Sequence, residues 1–166
     1  MKMKGIRLGL IALFMASVFT TLDAQPVLRN KARHVLKRTT VVILAAQRSV
    51  RTHKVYTGHL ARSVAHQRYA RRLFMRHKYM RSIHHSRYAR LLAFKAIRAN
   101  KGVVDKSWEF DNQEGAGKDA PNEQALDEEL QRDMPSAPLK DEDITGANLE
   151  DIDISDVEPG NYKGNK

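Results

Sequence analysis

From Ala24 to Val104 the chain contains no carboxylate, and eighteen of its nineteen acidic residues follow from Asp105 onward. Any fold must therefore place the twenty lysines and arginines between Arg29 and Lys101 without a counter-charge from the same stretch. That stretch carries +20, whereas six basic and eighteen acidic residues leave the rest of the chain after Val104 at −12. The overall charge of +10 conceals this segregation. All seven histidines lie in the basic stretch, so mild acid makes it more positive still. An ordinary solvated helix face mixes both signs. Here like charges at i, i+4, such as Arg68 with Arg72 and Arg72 with Arg76, oppose helix formation by about a few tenths of a kcal/mol each. A counter-charge is required, and the acidic segment can supply it, within one chain or between chains.

The first residues, MKMKGIRLGLIALFMASVFTTLDAQ, read as a secretory leader. Lys2, Lys4 and Arg7 precede an apolar run from Leu8 to Leu22, and Leu22-Asp23-Ala24 forms a small-residue cleavage site. The run is shorter than the ~20 residues a spanning helix needs, which argues against a membrane anchor. The expected organisation is 1–24 signal peptide, 25–104 basic helical domain and 105–166 acidic low-structure tail, in a secreted chain. With no cysteine, such a chain has neither a disulfide framework nor a thiolate zinc site.

Apolar residues at Leu28, Ala32, Val35, Val42, Ala46 and Val50, with Thr39 in the same stripe, predict a first helix of about six turns. The run TVVILAA (Thr40 to Ala46) could also be a short buried strand, but the longer periodicity favours helix. Thr57-Gly58 interrupts the pattern. A second stripe through Tyr69, Leu73, Met80, Ile83, Leu91 and Phe94 predicts a second long helix from about Leu60, ended by Asn100-Lys101-Gly102 with glycine as the left-handed cap. Within it, RSVAHQRYARRLF (62–74) resembles RSIHHSRYARLLAF (81–94) at an offset of nineteen, which repeats one basic and aromatic face five turns along. The expected fold class is all-α: two long basic amphipathic helices packed antiparallel or within a small bundle, followed by a largely disordered acidic tail. Within the tail EQALDEELQRDM reads as one short acidic helix. LEDIDISDVE suggests a calcium loop only weakly, since Asp156 and Tyr162 stand where such a loop needs glycine and glutamate.

Catalysis and metal binding find little support. The basic stretch has no carboxylate to orient a histidine and only serines as candidate hydroxyl nucleophiles of that type. His77, His84 and His85 lack an acid or sulfur partner, and the cationic field opposes a metal ion. The expectation is a non-enzyme without metal or cofactor. Polyanion binding is the positive reading, because attraction scales with summed charge. Tyr69, Tyr79 and Tyr88, set between arginines, are the candidate aromatic contacts. Arg76 and Arg87 fall inside the apolar stripe, where burial of an unpaired charge costs several kcal/mol; they must either snorkel or meet anions.

VLRNKARHVLKR (Val27 to Arg38), the Thr57-Gly58-His59 turn and RRLFMRHKYMRSIHHSRYARLLAF (Arg71 to Phe94) resemble abalone sperm lysin and its gastropod acrosomal relatives. The resemblance spans about Val27 to Val104 and stops where the chain turns acidic. It implies a helical, non-enzymatic protein released from the acrosome, where it is stored as in a secretory granule, which binds an egg-envelope glycoprotein through basic tracks or, in a sister protein, acts on membranes. Carried onto this chain, the resemblance implies a binding track of Arg62, Arg68, Arg71, Arg72, Arg76, Lys78, Arg81, Arg87 and Arg90.

The leading expectation is thus a secreted helical protein that binds an anionic extracellular glycoprotein or glycan, with the tail screening the basic body. Export disfavours nucleic acid as the partner. A second reading is a membrane-active peptide precursor with an acidic propiece, directed at an anionic membrane surface, with Lys37-Arg38 and Arg71-Arg72 as dibasic cleavage sites. A third is a matrix protein that self-assembles tail to body.

Overall fold

The computed structural model of the chain describes residues 24–115, 117, 119–135 and 140–149. All regular elements among them are helical. Three long helices, α1 (Ala24–His53), α2 (His59–Met75) and α3 (Tyr79–Ala99), pack pairwise into an up-down-up bundle. The expected secretory leader, residues 1–24, lies outside the described residues except for Ala24, which opens α1. The weak calcium-loop pattern lies outside them too, beyond Leu149.

The stripe read along α1 is its packed face: Ala32, Val35, Thr39, Val42, Ala46 and Val50 are buried, and Leu28 is partly so. TVVILAA is helix, not strand. One end of the core is Val42, Ile43, Ala46 and Val50 against Leu60, Val64, Ala89, Ala93 and Ile97. At the other, Ala32, Val35 and Leu36 meet Ala70, Phe74, Tyr79 and Ile83. The turn into α2 uses Gly58 at φ 78, a conformation that costs glycine nothing sterically.

The second long helix does not run unbroken. It ends at Met75, and His77 takes a left-handed conformation at φ 59. Lys78 N–H donates to Leu73 O at 2.9 Å, the 6→1 bond that closes a helix C-terminus, before α3 starts at Tyr79. No glycine or proline marks this break. Histidine tolerates the left-handed region better than most residues, and its ring is hydrogen-bonded to the Tyr79 hydroxyl at 2.7 Å. Folding back lets 62–74 lie against 81–94, so the two copies of the repeat sit side by side instead of five turns apart. The break also shifts the phase of the stripe, which leaves Leu91 37 % exposed and puts Leu92 inside. The α3 terminus differs as well: Lys101, at φ 58, takes the left-handed position, and Gly102 serves close approach. A Cβ on Gly102 would lie 2.6 Å from Ile97 Cγ2.

Beyond Val104 the chain does not trail away over the described residues. It makes 3-10 turns at Lys106–Trp108 and Asn112–Glu114, then α4 (Glu123–Asp133) and α5 (Asp141–Thr145). The expectation of a low-structure tail therefore fails across 105–115, 119–135 and 140–149, while the acidic helix read in EQALDEELQRDM is α4. Ile144 and Leu149 enter the bundle core, worth about 1.5–3 kcal/mol for each fully buried side chain. The physical reason is the one that made a counter-charge necessary: buried and half-buried cations of the bundle take their anions from this segment.

Candidate polyanion-binding site

Three sets of tail carboxylates meet the bundle. The deepest is Glu114, which caps its own turn with Asp111 and faces Arg90. Both side chains are 0 % exposed, with the guanidinium donating to Glu114 Oε2 at 2.8 Å and Oε1 at 2.7 Å. Arg90 also donates to Thr39 Oγ1 and to the Val35 and Trp108 carbonyls, so every edge of the fork is used. Around this pair, Arg38 donates to Asp111 and to the carbonyls of Ser107 and Glu109, and it stands 3.0 Å from Glu114. Arg87 lies over the Phe110 ring at 4.0 Å and donates to the Glu114 carbonyl.

Asp141 forms the second set. Its carboxylate is buried at the start of α2, where it accepts from the N–H groups of Thr57, Gly58 and Ala61 at 2.7–2.9 Å. α2 begins without a side-chain cap of its own, so Asp141 supplies both the missing acceptor and the negative charge that a helix N-terminus favours.

The third set is α4 in the groove between α2 and α3. Asn122 caps it by accepting from Ala125 N–H at 2.8 Å. Leu126 packs on Tyr88 and Leu92, and carboxylates surround that contact. Glu123 pairs with Lys95 at 3.1 Å. Asp127 accepts from Arg62 and from the Tyr88 hydroxyl. Glu129 accepts from Arg81 and from the Tyr69 hydroxyl, and Asp133 from Tyr69. The groove floor is His66 and His85, both fully buried, with their Nδ1 atoms 3.0 Å apart.

Counting protons defines this floor. His66 Nε2–H donates to Asp127 Oδ1 at 3.0 Å, so in the neutral ring Nδ1 is the acceptor. It takes the proton of His85 Nδ1, which leaves His85 Nε2 bare, 3.2 Å from Glu129 Oε1 but out of hydrogen-bond alignment. Burial, added to the neighbouring His66, pushes the His85 pKa down to about 4. Burial also lowers that of His66, against the pull of Asp127. Although burial works the other way, hydrogen bonds from Arg62 and His66 hold Asp127 below its usual range, and one from Arg81 does the same for Glu129. Burial, with Asp127 beside it, pushes the Tyr88 hydroxyl up to about 12.

The predicted basic track divides. Arg62 and Arg81 line the groove at its open edges. Arg90 is wholly buried and Arg71 nearly so, so neither can form a surface contact. Arg87 is half-buried under Phe110, which answers how an arginine sits in the apolar stripe; Arg76 answers it by lying exposed at the C-cap of α2. Arg68 is partly buried, and that burial lowers its pKa. Arg72, Arg76 and Lys78 are exposed near the α2–α3 turn, and among the described residues no carboxylate pairs with them. The tyrosines are corrected as a group. Tyr69, Tyr79 and Tyr88 are buried and packed on His85, Phe74 and His66, so they are not open stacking surfaces. Only the hydroxyls of Tyr69 and Tyr88 reach the groove.

Sequence reading missed His66, His85, Lys95 and Arg38 as site residues. A signal was present: the nineteen-residue offset aligns His66 with His85 and Gln67 with Ser86, and both pairs are in contact. His77, His84 and His85 do not gather, and among the described residues no group of three or more histidine, aspartate or glutamate side chains is placed to hold a metal ion. No described helix is long and apolar enough to cross a membrane. No protein-family model matches the chain, and comparison with curated proteins and with solved structures finds no match.

Proposed function

We propose that this chain is a secreted, non-enzymatic helical protein whose basic bundle binds an anionic extracellular target, with its acidic segment as a built-in competitor. The observation that carries the reading is α4 itself: an acidic helix seated in the α2/α3 groove by Lys95, Arg62, His66 and Arg81. The groove thus accepts carboxylates in the intact chain, and Arg72, Arg76 and Lys78 extend the same charge toward one end of the bundle. The egg-coat glycoprotein as target, and a storage granule as compartment, rest on the resemblance of Val27–Val104 to acrosomal proteins.

The rival reading, a membrane-active peptide released from an acidic propiece, is less well supported. Lys37-Arg38 lies in the middle of α1, and Arg71-Arg72 lies within α2 with Arg71 buried. Glu114 and Asp141 belong to the interior, so the acidic segment is part of the fold.

The test is a full-length variant, Asp127→Asn/Glu129→Gln/Asp133→Asn, titrated with a heparin fragment. Removing the in-chain anions should raise affinity on the order of tenfold at low ionic strength, and the difference should vanish near ~1 M salt, where the Debye length is about 3 Å. Equal affinity of variant and native chain at low salt would sink the reading.

A further inference from the structure

We propose that the α2/α3 groove is a docking site for an acidic amphipathic helix of another protein, with α4 as its in-chain stand-in. This rests on the polyanion-binding reading above and narrows it to one class of partner.

The first support is how unevenly the acidic segment is held. On one side of α4 it is pinned by Glu114, fully buried on Arg90; on the other by Asp141, Ile144 and Leu149, all buried. α4 itself sinks one apolar side chain, Leu126, and otherwise holds on through carboxylates at the groove edges. Exposed residues Gly115, Gly117 and Asp119–Asn122 lead into it, and Met134 and Pro135 follow it. α4 can therefore leave the groove while both anchors stay in place.

The second support is that the groove reads more than charge. At 100° per residue, Glu129, Asp133, Leu126, Glu123 and Asp127 fall within ~160° of the α4 circumference, with Leu126 near the middle. The leucine fills the apolar place made by Tyr88 and Leu92, while Asp127 accepts from His66 on the floor and Glu129 from Arg81 at the rim, on its two sides. A sulfated glycan offers anions but no apolar group for that place. An acidic helix has both.

The third support is the state left behind. With α4 lifted, Arg62, Arg81 and Lys95 lose their counter-charges, and the hydroxyls of Tyr69 and Tyr88 lose their acceptors. An incoming helix of the same pattern restores each of these. It must compete with a tethered helix whose effective concentration is of millimolar order, so the partner needs a larger apolar residue or further carboxylates.

The probe is a labelled peptide of residues 122–134, followed by fluorescence anisotropy against the full chain, with circular dichroism to confirm that each variant is folded. The Asp127→Asn/Glu129→Gln/Asp133→Asn variant should bind it at least tenfold more tightly than the native chain. A scrambled peptide of equal composition should bind that variant at least tenfold more weakly than the matched one. Adding Arg81→Gln, on the half-exposed rim, should remove the gain. Equal binding of matched and scrambled peptides would overturn the proposal, as would a gain that survives Arg81→Gln. If the variant still gains affinity for a heparin fragment in that case, polyanion binding stands without the helix-specific site; if it gains neither, both fall.

Discussion

Replacing Glu114 with glutamine keeps the shape of the side chain and removes its charge, which breaks the buried Arg90 pair together with the more exposed contact to Arg38. Arg90 has no other carboxylate within reach among the described residues, and its remaining partners are the Thr39 hydroxyl and the Val35 and Trp108 carbonyls. Breaking one side of a buried pair leaves an uncompensated charge, at a cost of about 3–5 kcal/mol. The glutamine carbonyl can still accept one bond, which places the expected loss near the lower bound, about 3 kcal/mol. Urea unfolding followed by circular dichroism reads this directly. With a slope of about 1–3 kcal/mol/M, the midpoint should fall by more than about 1 M at unchanged slope. The double variant Arg90→Met/Glu114→Leu removes both charges and should recover most of the loss, because paired ions in a core are often replaceable by apolar groups. A single-variant loss below about 1 kcal/mol would refute the reasoning. So would a double variant as unstable as the sum of the two singles, since the energy would then lie in packing and not in the unpaired charge.

Four further outcomes follow from the same geometry. Folded His85, at about 4, lies below its ordinary 6.5, so between those values the unfolded chain binds more protons and stability falls as pH drops. The loss should be about 2–3 kcal/mol from pH 7.5 to 4.5, read as a lower urea midpoint; a His66→Gln/His85→Gln variant should flatten that slope, and a flat native profile would contradict the buried pair. Asp141→Asn should cost about 1–2 kcal/mol by weakening the cap on α2, with no change in heparin affinity. Gly102→Ala should destabilise by about 1–3 kcal/mol through overlap with Ile97. Lys101→Gly should stabilise by up to about 1 kcal/mol by relieving the left-handed lysine, with urea midpoints deciding both.

The all-helical class, the face of α1, the turn at Thr57-Gly58 and the acidic helix were legible because each follows from short-range periodicity or a glycine. The break at His77 was not. The segment RHKY contains neither glycine nor proline, and the ring contact with Tyr79 that accompanies it has no sequence signature. Missing the break cost most of the site, since a single helix spreads its basic track along one edge, whereas a hairpin puts His66 on His85 and buries Arg90. The tail was misread for a related reason. Acidic, aromatic-poor sequence scores as disordered when considered alone, and only the three-dimensional arrangement of the cations it answers shows that Glu114 and Asp141 are interior residues. The need for a counter-charge was plain from the charge count; the addresses were not.

Asp141 also fixes an order in time. It lies 83 residues after Gly58, and Glu114 lies 24 after Arg90. At about 5–20 residues per second of synthesis, the Arg90 charge waits roughly 1–5 s for its partner, and the start of α2 waits roughly 4–17 s for its cap. The cations of the bundle are thus all made before the anions that answer them. A chain released at Val104 therefore carries the cations without the residues that answer them, and it should bind a heparin fragment more tightly than a chain released after Leu149.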